Sequence, residues 1–263
     1  MSLSLLTLNN DVMPILLKNI DKESHLILGL VSKELYKTLK EFNPNDKLIG
    51  SLKYLTSKLE LLKYAHKNGC PLNPVTIKNI LNVTNKESLE CLKYARENGC
   101  PWNELTNYAA FNGHLDCLKY LHKNNCPWDE RVCSGAARGG HLECLQYLYE
   151  NGCPWNVWTC KYAAREGHLE CLKYLHENNC PWNERTCYSA AEKGQLECLK
   201  YARDNGCHWD ESTPRFAAQN GHLESLKYAH ENGCPWNALT CRNALWSGHF
   251  ECLKYAQDNG CPE

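Results

Sequence analysis

Cysteine and histidine are the residues of this chain whose side chains could do chemistry. The 263 residues include 18 cysteines and 11 histidines. Thiolates and imidazoles bind zinc, cysteine pairs form disulfides in oxidising compartments, and a thiol activated by an imidazole is a nucleophile. The positions of the cysteines along the chain decide between these chemistries and a structural role.

All 18 cysteines recur at three positions of an internal repeat. The first group closes each copy, mostly 27 residues apart, at Cys70, Cys100, Cys126, Cys153, Cys180, Cys207, Cys234 and Cys261. The second group lies within a Glu/Asp-Cys-Leu phrase, at Cys91, Cys117, Cys144, Cys171, Cys198 and Cys252. The third group follows the first by seven residues, at Cys133, Cys160, Cys187 and Cys241. Self-similarity at such a period indicates an array of small stacked units.

This spacing does not favour zinc, disulfides or catalysis. Structural zinc sites usually have ligand pairs two to four residues apart, and the chain contains no Cys-x-x-Cys. Pro214 and Ser225 stand where other copies have cysteine. We therefore predict small buried thiols, no metal, no cofactor and no enzymatic activity, with a zinc protein or an enzyme as the remote alternative.

Charge and hydropathy also exclude several functions. Lys and Arg number 29 and Asp and Glu number 30, so the formal net charge is −1. This balance gives no general attraction to nucleic acid or to an anionic membrane. We expect no membrane span and no secretory signal. The free thiols then predict an intracellular, reducing compartment such as the cytoplasm.

One copy of the repeat, residues 154–180, predicts two short helices. It reads PWNVWTCKYAAREGHLECLKYLHENNC. Asn156 is the expected N-cap of the first helix, which has cysteine and two alanines on one face. Gly167 ends this helix, and a second helix with leucines in phase runs to Asn178. Because two such helices cannot bury both apolar faces alone, the copies must stack.

The phrase T-C-x-x-A-A-x-x-G-H-L-E-C-L-K-Y-L, at residues 159–175, resembles the ankyrin repeat. The resemblance implies an all-α fold, an ankyrin-like helical solenoid of about seven to eight two-helix repeats over residues 46–263. An ankyrin repeat usually has about 33 residues and a turn segment between units. The copies here are shorter, so we expect the β-hairpin fingers to be reduced or absent. The short period also resembles ankyrin-like arrays that are abundant in giant viruses of amoebae.

Residues 1–45 lie outside the repeat and predict a small helical segment. The order of their apolar residues resembles an F-box, although Asn9 and Leu35 depart from that pattern. The resemblance implies docking to the Skp-type adaptor of a cullin–RING ubiquitin ligase. An N-terminal cap on the array is the alternative. The adaptor-binding positions would be Leu8, Val12, Ile15, Leu16, Ile20, Leu26, Leu30 and Val31.

Histidine and tryptophan recur at fixed positions and predict structural roles. Histidines after glycine should hydrogen-bond the backbone between helices, at His114, His141, His168, His222 and His249. Histidines near the end of the second helix suit its dipole, at His66, His122, His176 and His230. The linking tryptophans should pack along the edge of the array, an exposed aromatic ladder being the alternative, at Trp102, Trp128, Trp155, Trp182, Trp209 and Trp236.

The positions that differ between copies predict the binding surface. On the first helix, the side opposite the alanines carries triplets at i, i+3 and i+7, which share one face. They are Arg131-Ser134-Arg138, Trp158-Lys161-Arg165, Arg185-Tyr188-Glu192, Ser212-Arg215-Gln219 and Leu239-Arg242-Trp246. Arg, Tyr and Trp are enriched at binding hot spots. Adjacent triplets predict one exposed, locally basic strip with a mild preference for an acidic partner surface, and neutral variation of a solvated face is the alternative.

These observations predict a monomeric protein-interaction module. Under the F-box reading, it is the substrate receptor of a ubiquitin ligase; otherwise it is a plain ankyrin-type scaffold or competitor. We expect a protein partner of unknown identity and no nucleic acid. The expected partner contacts are Phe111, Arg131, Arg138, Trp158, Lys161, Arg165, Arg185, Tyr188, Arg215, Arg242 and Trp246.

Overall fold

A computed structural model describes residues 87–101 and 105–262, together with Leu59, Leu62, Lys63, His66, Leu72, Ile77 and Leu81. These residues form helices, turns and links, and no β-strand occurs among them. The helices are α1 (Ser88–Glu97), α2 (Leu105–Phe111), α3 (Leu115–Lys123), α4 (Glu130–Gly139), α5 (Leu142–Glu150), α6 (Val157–Glu166), α7 (Leu169–Glu177), α8 (Glu184–Glu192), α9 (Leu196–Asp204), α10 (Ser212–Gln219), α11 (Leu223–Glu231), α12 (Ala238–Trp246) and α13 (Phe250–Asp258).

The chain is an all-α solenoid of paired helices, as predicted. Over the described residues, α2 to α13 form six consecutive pairs, and α1 is the second helix of the preceding unit. The described helices therefore make up about six to seven units, in line with the predicted array, and the half unit before Cys70 lies mostly outside the described residues. Links between helix pairs are as short as the six residues 151–156, with no hairpin finger in the described part of the array.

The chain divides into two compact units: residues 1–108 with 116–126, and residues 109–115 with 127–263. In the first, the described side chains of Leu62, Ile77 and Leu81 are buried. Nδ1 of His66 lies 2.9 Å from the Tyr94 hydroxyl. The second unit contains all of the predicted partner-contact residues, from Phe111 to Trp246.

Four first helices of the second unit begin after an Asn or Asp N-cap, as the sequence predicts, and α10 departs from this because its N-cap position is Glu211, which makes no side-chain cap bond. The side chain of Asn156 accepts a hydrogen bond from the backbone N–H of Trp158 at 3.0 Å. Asn156 also takes part in a capping box with Thr159. In the copy with Pro214 the helix begins at Ser212, whose N–H donates to Asp210 at 2.9 Å. Proline is tolerated there because the first turn of a helix has no intrahelical partner for its N–H.

The small residues let neighbouring first helices approach closely. The second alanine of each pair has no exposed surface in four successive copies of this unit: Ala137, Ala164, Ala191 and Ala218. First helices pack on one another more extensively than second helices do. The predicted alanine face is therefore the stacking face, and it leaves the opposite side of each first helix facing outward.

Turn histidines tie successive units together through the backbone. Nε2 of His168 lies 3.1 Å from the Arg138 carbonyl oxygen, and Nε2 of His222 lies 3.1 Å from that of Glu192. Each imidazole thus bonds the end of the preceding unit's first helix, as predicted for this class. Gln195 replaces histidine in one copy and occupies the same place.

The linking tryptophans pack along the edge of the array rather than forming an open ladder. The Trp182 ring stacks on His176 at 4.1 Å between centroids and meets Tyr201 edge-on at 6.4 Å. His176 also lies 3.2 Å from the Tyr201 hydroxyl. His230 repeats the arrangement, so these histidines are stacking and hydrogen-bonding residues in addition to suiting the helix dipole.

Candidate protein-interaction surface

The outward side of the first helices in the second unit is the candidate binding surface, which we call the variable strip. It consists of Phe111, Arg131, Arg138, Trp158, Lys161, Tyr162, Arg165, Arg185, Tyr188, Arg215, Phe216, Arg242 and Trp246. Large apolar rings are exposed here: Phe111 by 38%, Trp158 by 39% and Trp246 by 77%. Exposed aromatic rings of this size are typical of interaction sites when they are contiguous.

At the α2 end of the strip, a guanidinium lies between two rings. Cζ of Arg138 lies 5.6 Å from the centroid of Phe111 and 5.9 Å from that of Tyr162. These three residues come from three successive first helices, so the contact continues from unit to unit. Arg138 also lies 3.8 Å from a carboxylate oxygen of Glu166.

The centre of the strip is a tryptophan between two cations. Nζ of Lys161 lies 4.6 Å from the centroid of Trp158, and Cζ of Arg185 lies 5.1 Å from it. Lys161 is also 5.5 Å from the Tyr162 ring. Cation–π contacts of this geometry stabilise a charge by about 0.5–1 kcal/mol at exposed positions, so they orient both cations without neutralising them.

Burial and neighbouring charges act on the Lys161 ammonium. Burial lowers its pKa, and the positive charges of Arg165 and Arg185 lower it further, while Glu192 opposes them. Lys161 therefore sits in a locally positive field. A bound anion would relieve that field.

Besides Arg138, two further arginines of the strip pair with a carboxylate of the chain. Arg165 donates to Glu192 from Nε and from Nη2, each at 3.3 Å, and this hydrogen bonding raises the pKa of the guanidinium. Arg131 pairs with the capping Asp129 at 2.7 Å. These pairs show that carboxylates bind strip arginines when one is within reach.

The strip continues over α8, α10 and α12. Tyr188 and Phe216 lie 5.3 Å apart between ring centroids, and Arg215 lies 4.7 Å from the Phe216 ring. Arg242 lies 5.8 Å from Trp246 on the last described first helix. Buried Nε of Arg215 has no hydrogen-bond partner among the described residues.

The structure changes the predicted strip at three positions. Ser134 is buried rather than exposed, and its Oγ lies 3.2 Å from Thr159 Oγ1 of the next unit. Tyr162 and Phe216, which the triplets omit, both contact strip cations. They stand at i+4 from the first member of a triplet, and a rule that kept both i+3 and i+4 would have found them.

The outward side of the second helices differs from the strip. We call it the copied face; it consists of Glu170, Lys173, Glu197, Lys200, Glu224 and Lys227. Each lysine pairs with the glutamate three residues before it, at 2.8 to 2.9 Å. The same pair thus recurs in three successive units, and it neutralises the face.

The cysteines of the second unit are buried and hold backbone groups. The Cys207 thiol donates to the Asn183 carbonyl at 3.2 Å, and Cys234 donates to the Asp210 carbonyl at 3.2 Å. Burial raises the pKa of Cys171 to about 11 and that of Cys198 to about 12. Thiols with such pKa values stay protonated at neutral pH and are weak nucleophiles and ligands.

The described residues give no support for a metal centre or a membrane span. They contain no cluster of three or more His, Cys, Asp or Glu side chains that could hold a metal ion. The described cysteines are free thiols. No helix in this part of the chain has the length and apolar character that crossing a bilayer requires.

Comparisons with known proteins agree with this fold. The crystal structure of the human ASB11 ankyrin repeat domain matches with a TM-score of 0.51 and 20% identity, over 59% of this chain and 83% of that one. This likeness shows the fold alone. No curated protein matches the chain.

Family profiles of the ankyrin repeat match most of the array. A three-copy profile matches residues 106–186 and 134–213, and a many-copy profile matches residues 80–122 and 215–257. Together they cover well over half of the chain. The chain therefore belongs to the ankyrin repeat family, whose domains are generally protein–protein interaction modules.

The F-box interpretation falls outside the described residues. Leu8, Leu16 and Val31, with the other predicted adaptor contacts, precede the first described position, Leu59. The family matches begin at residue 80.

Proposed function

We propose that this protein binds a partner protein through the variable strip and has no catalytic role. The observation that supports this proposal is that two cations of the strip have no carboxylate partner among the described residues. Lys161 and Arg185 flank an exposed tryptophan, and no ion pair with a carboxylate occupies them in the described part of the chain. The copied face, in contrast, neutralises its own charges.

The strip adds little to the stability of the isolated chain. Lys161 and Arg165 are like charges at i, i+4, a spacing that destabilises a helix by roughly 0.2–0.5 kcal/mol, and the Glu192 partner of Arg165 offsets part of that repulsion. Trp158 leaves 39% of its surface in water. These features contribute little to folding, and a partner with complementary apolar and acidic groups would make use of all of them.

The test is affinity capture with two matched variants of the full chain. The strip variant carries Trp158→Ala, Arg185→Ala and Tyr188→Ala, and the control variant carries Lys173→Ala, Lys200→Ala and Lys227→Ala. Quantitative mass spectrometry should find proteins that the wild type and the control retain and the strip variant loses. Melting curves check that both variants are folded. Equal retention of the same proteins by both variants would contradict the proposal.

The ubiquitin-ligase version of this function is a finer proposal that depends on residues 1–45. Its support is the F-box-like order of apolar residues from Leu8 to Val31. Purified Skp-type adaptor should bind the full chain and release it on Leu16→Ala or Leu30→Ala. If the adaptor does not bind the folded wild-type chain, the ubiquitin-ligase proposal is wrong, and the chain is a plain ankyrin-type scaffold or competitor. Two further proposals rest on the sequence. The short repeat period supports a likeness to the ankyrin arrays of giant viruses, and the free thiols support a reducing compartment.

A further inference from the structure

The centre of the strip has the composition of an anion-binding site. Trp158, Lys161 and Arg185 come from two successive first helices, and each cation lies within cation–π distance of the Trp158 ring. Two positive groups therefore lie beside one apolar surface. A ligand that carries negative charge next to apolar side chains fits that arrangement.

Within the part of the chain that the structure describes, the two cations of this centre form no ion pair with a carboxylate. The nearby carboxylates pair with other arginines: Glu192 and Glu166 with Arg165, Glu166 also with Arg138, and Asp129 with Arg131. Among residues 105–262, no carboxylate lies within ion-pair distance of the Lys161 ammonium or the Arg185 guanidinium. Glu192 offsets part of the repulsion at Lys161, and an external carboxylate in direct contact with both cations would offset more of it.

We propose that the Trp158 site, with the neighbouring rings of Phe111 and Tyr162, binds an acidic segment of a partner protein, whose carboxylates pair with Lys161 and Arg185. The inference rests on the proposed function and names the chemistry of the partner. Apolar side chains between the carboxylates pack on the exposed rings. Arg165 shows the pairing within this chain, because its Nε and Nη2 both donate to one carboxylate at 3.3 Å.

A carboxylate peptide fits better than a polyphosphate. Along successive helices the strip alternates cations with aromatic rings, and the two cations without a carboxylate partner at its described centre, Lys161 and Arg185, both lie against the Trp158 ring. The formal net charge of −1 gives the chain no long-range attraction to nucleic acid. Charge complementarity is therefore local and needs a ligand that also supplies apolar contact.

The dimensions of the strip set the length of the segment. Phe111, Arg138, Trp158 and Arg185 belong to α2, α4, α6 and α8, which are successive first helices. Neighbouring packed helices are about 8–10 Å apart, so four of them span roughly 24–30 Å. An extended segment rises about 3.3 Å per residue, and about eight or nine residues cover the distance.

The experiment uses the full chain and a fluorescein-labelled peptide of about nine residues, (Glu-Ser-Leu)₃, whose length follows from that rise per residue. A second peptide, (Gln-Ser-Leu)₃, is identical except for charge. Fluorescence anisotropy should show binding of the glutamate peptide that is at least about tenfold tighter than binding of the glutamine peptide, a difference of about 1.4 kcal/mol. Binding should weaken as salt rises.

Two variants locate the site. The double substitution Lys161→Gln and Arg185→Gln should lower the affinity for the glutamate peptide by about tenfold or more. The matched double substitution Lys173→Gln and Lys200→Gln removes the same charge from the copied face and should change affinity less than about twofold. Charge-assisted pairs of this kind have that order of effect.

Several results would overturn the inference. One is equal affinity for the two peptides, and another is an equal loss of affinity in both double variants. If a single-stranded oligonucleotide binds the strip more tightly than the glutamate peptide does, the strip is a nucleic-acid site and the acidic-segment proposal is wrong. If captured proteins depend on the strip but the glutamate peptide does not bind, the proposed function stands and this inference fails.

Discussion

The two outward helix faces of the second unit have similar numbers of charged groups and use them differently. On the copied face, Lys200 pairs with Glu197 at 2.9 Å, and the same pair recurs one unit before and one unit after. On the variable strip, Lys161 and Arg185 flank Trp158 and have no such pair within the described chain. Opposite charges at i, i+3 neutralise a solvated helix face, whereas unpaired cations beside exposed rings suit a partner.

The difference teaches how a repeat separates stability from recognition. Groups that recur in most units, such as the buried Leu199 and the contact of His222 with the Glu192 carbonyl, stabilise the stack. Groups that change from unit to unit, such as Trp158 and Tyr188, occupy the strip. A repeat array distributes its stability over units and interfaces, so the strip can vary while the stack is kept.

The largest expected effect comes from substituting a buried leucine that recurs from unit to unit. Leu199→Ala leaves a cavity where the side chain has no exposed surface, and the free energy of unfolding should fall by about 2–5 kcal/mol. Tyr188→Ala on the strip should lower it by less than about 1 kcal/mol. Urea unfolding of both variants measures the contrast. A strip substitution as costly as the core one would break the comparison.

The next effect concerns a turn glycine that lies against the turn histidine of the following unit. Gly194 has φ +67°, and an added Cβ would lie 2.5 Å from Nδ1 of His222. Gly206 has φ +81°, and an added Cβ there would meet nothing within 4 Å. Gly206→Ala should cost about 1 kcal/mol, the strain of a left-handed residue with a side chain.

Gly194→Ala has the same strain and also displaces the imidazole, so it should cost at least about 1 kcal/mol more, roughly the value of a buried hydrogen bond. Thermal unfolding of the two variants gives the difference directly. Equal losses would show that the contact with His222 contributes nothing to the stack.

A smaller effect should appear as a dependence of stability on pH. Burial lowers the pKa of His222 and that of His141 below the ordinary value. The unfolded chain therefore binds protons at a higher pH than the folded chain does. The free energy of unfolding should be level above about pH 6.5 and fall as the pH drops below it.

His222→Gln tests this origin, because Gln195 already fills the equivalent place in another copy. The variant should keep near wild-type stability at pH 8 and lose less than the wild type at pH 5. Urea unfolding at the two pH values makes the comparison. A wild-type chain that gains stability on acidification would contradict the assignment.

The smallest expected effect is that of surface charge on stability. Lys200→Gln breaks the pair with Glu197 and should cost about 0.2–0.5 kcal/mol. Arg185→Gln removes a repulsion on Lys161 and also the cation–π contact with Trp158, so the two effects should largely offset and stability should change by less than about 0.5 kcal/mol. Melting temperatures of both variants at low salt show whether each substitution raises or lowers stability. A clear loss for Arg185→Gln would mean that the strip cation stabilises the chain.

The repeat itself made much of this structure predictable. Because the copies agree, the caps such as Asn156, the alanine stacking face and the short links followed from one unit and its period. The prediction of small buried thiols is also confirmed for the described cysteines. Residues 1–45, with the F-box interpretation, are untested.

The contacts between copies could not be predicted in the same way. Residues i+3 and i+4 share a helix face, and the crossing of neighbouring helices decides which of them points outward. That choice buries Ser134 and exposes Tyr162 to Arg138. The stacking of His176 on Trp182 likewise depends on how one unit meets the next.

Site-specific photo-crosslinking tests the central claim that the partner contacts the strip. A photoreactive amino acid replaces Arg185 or Tyr188 on the strip, or Lys200 or Lys227 on the copied face, one at a time in the full chain. We predict crosslinks to the same partner from both strip positions and none from the two copied-face positions. Crosslinks that come from Lys200 or Lys227 and are absent from Arg185 and Tyr188 would contradict the account.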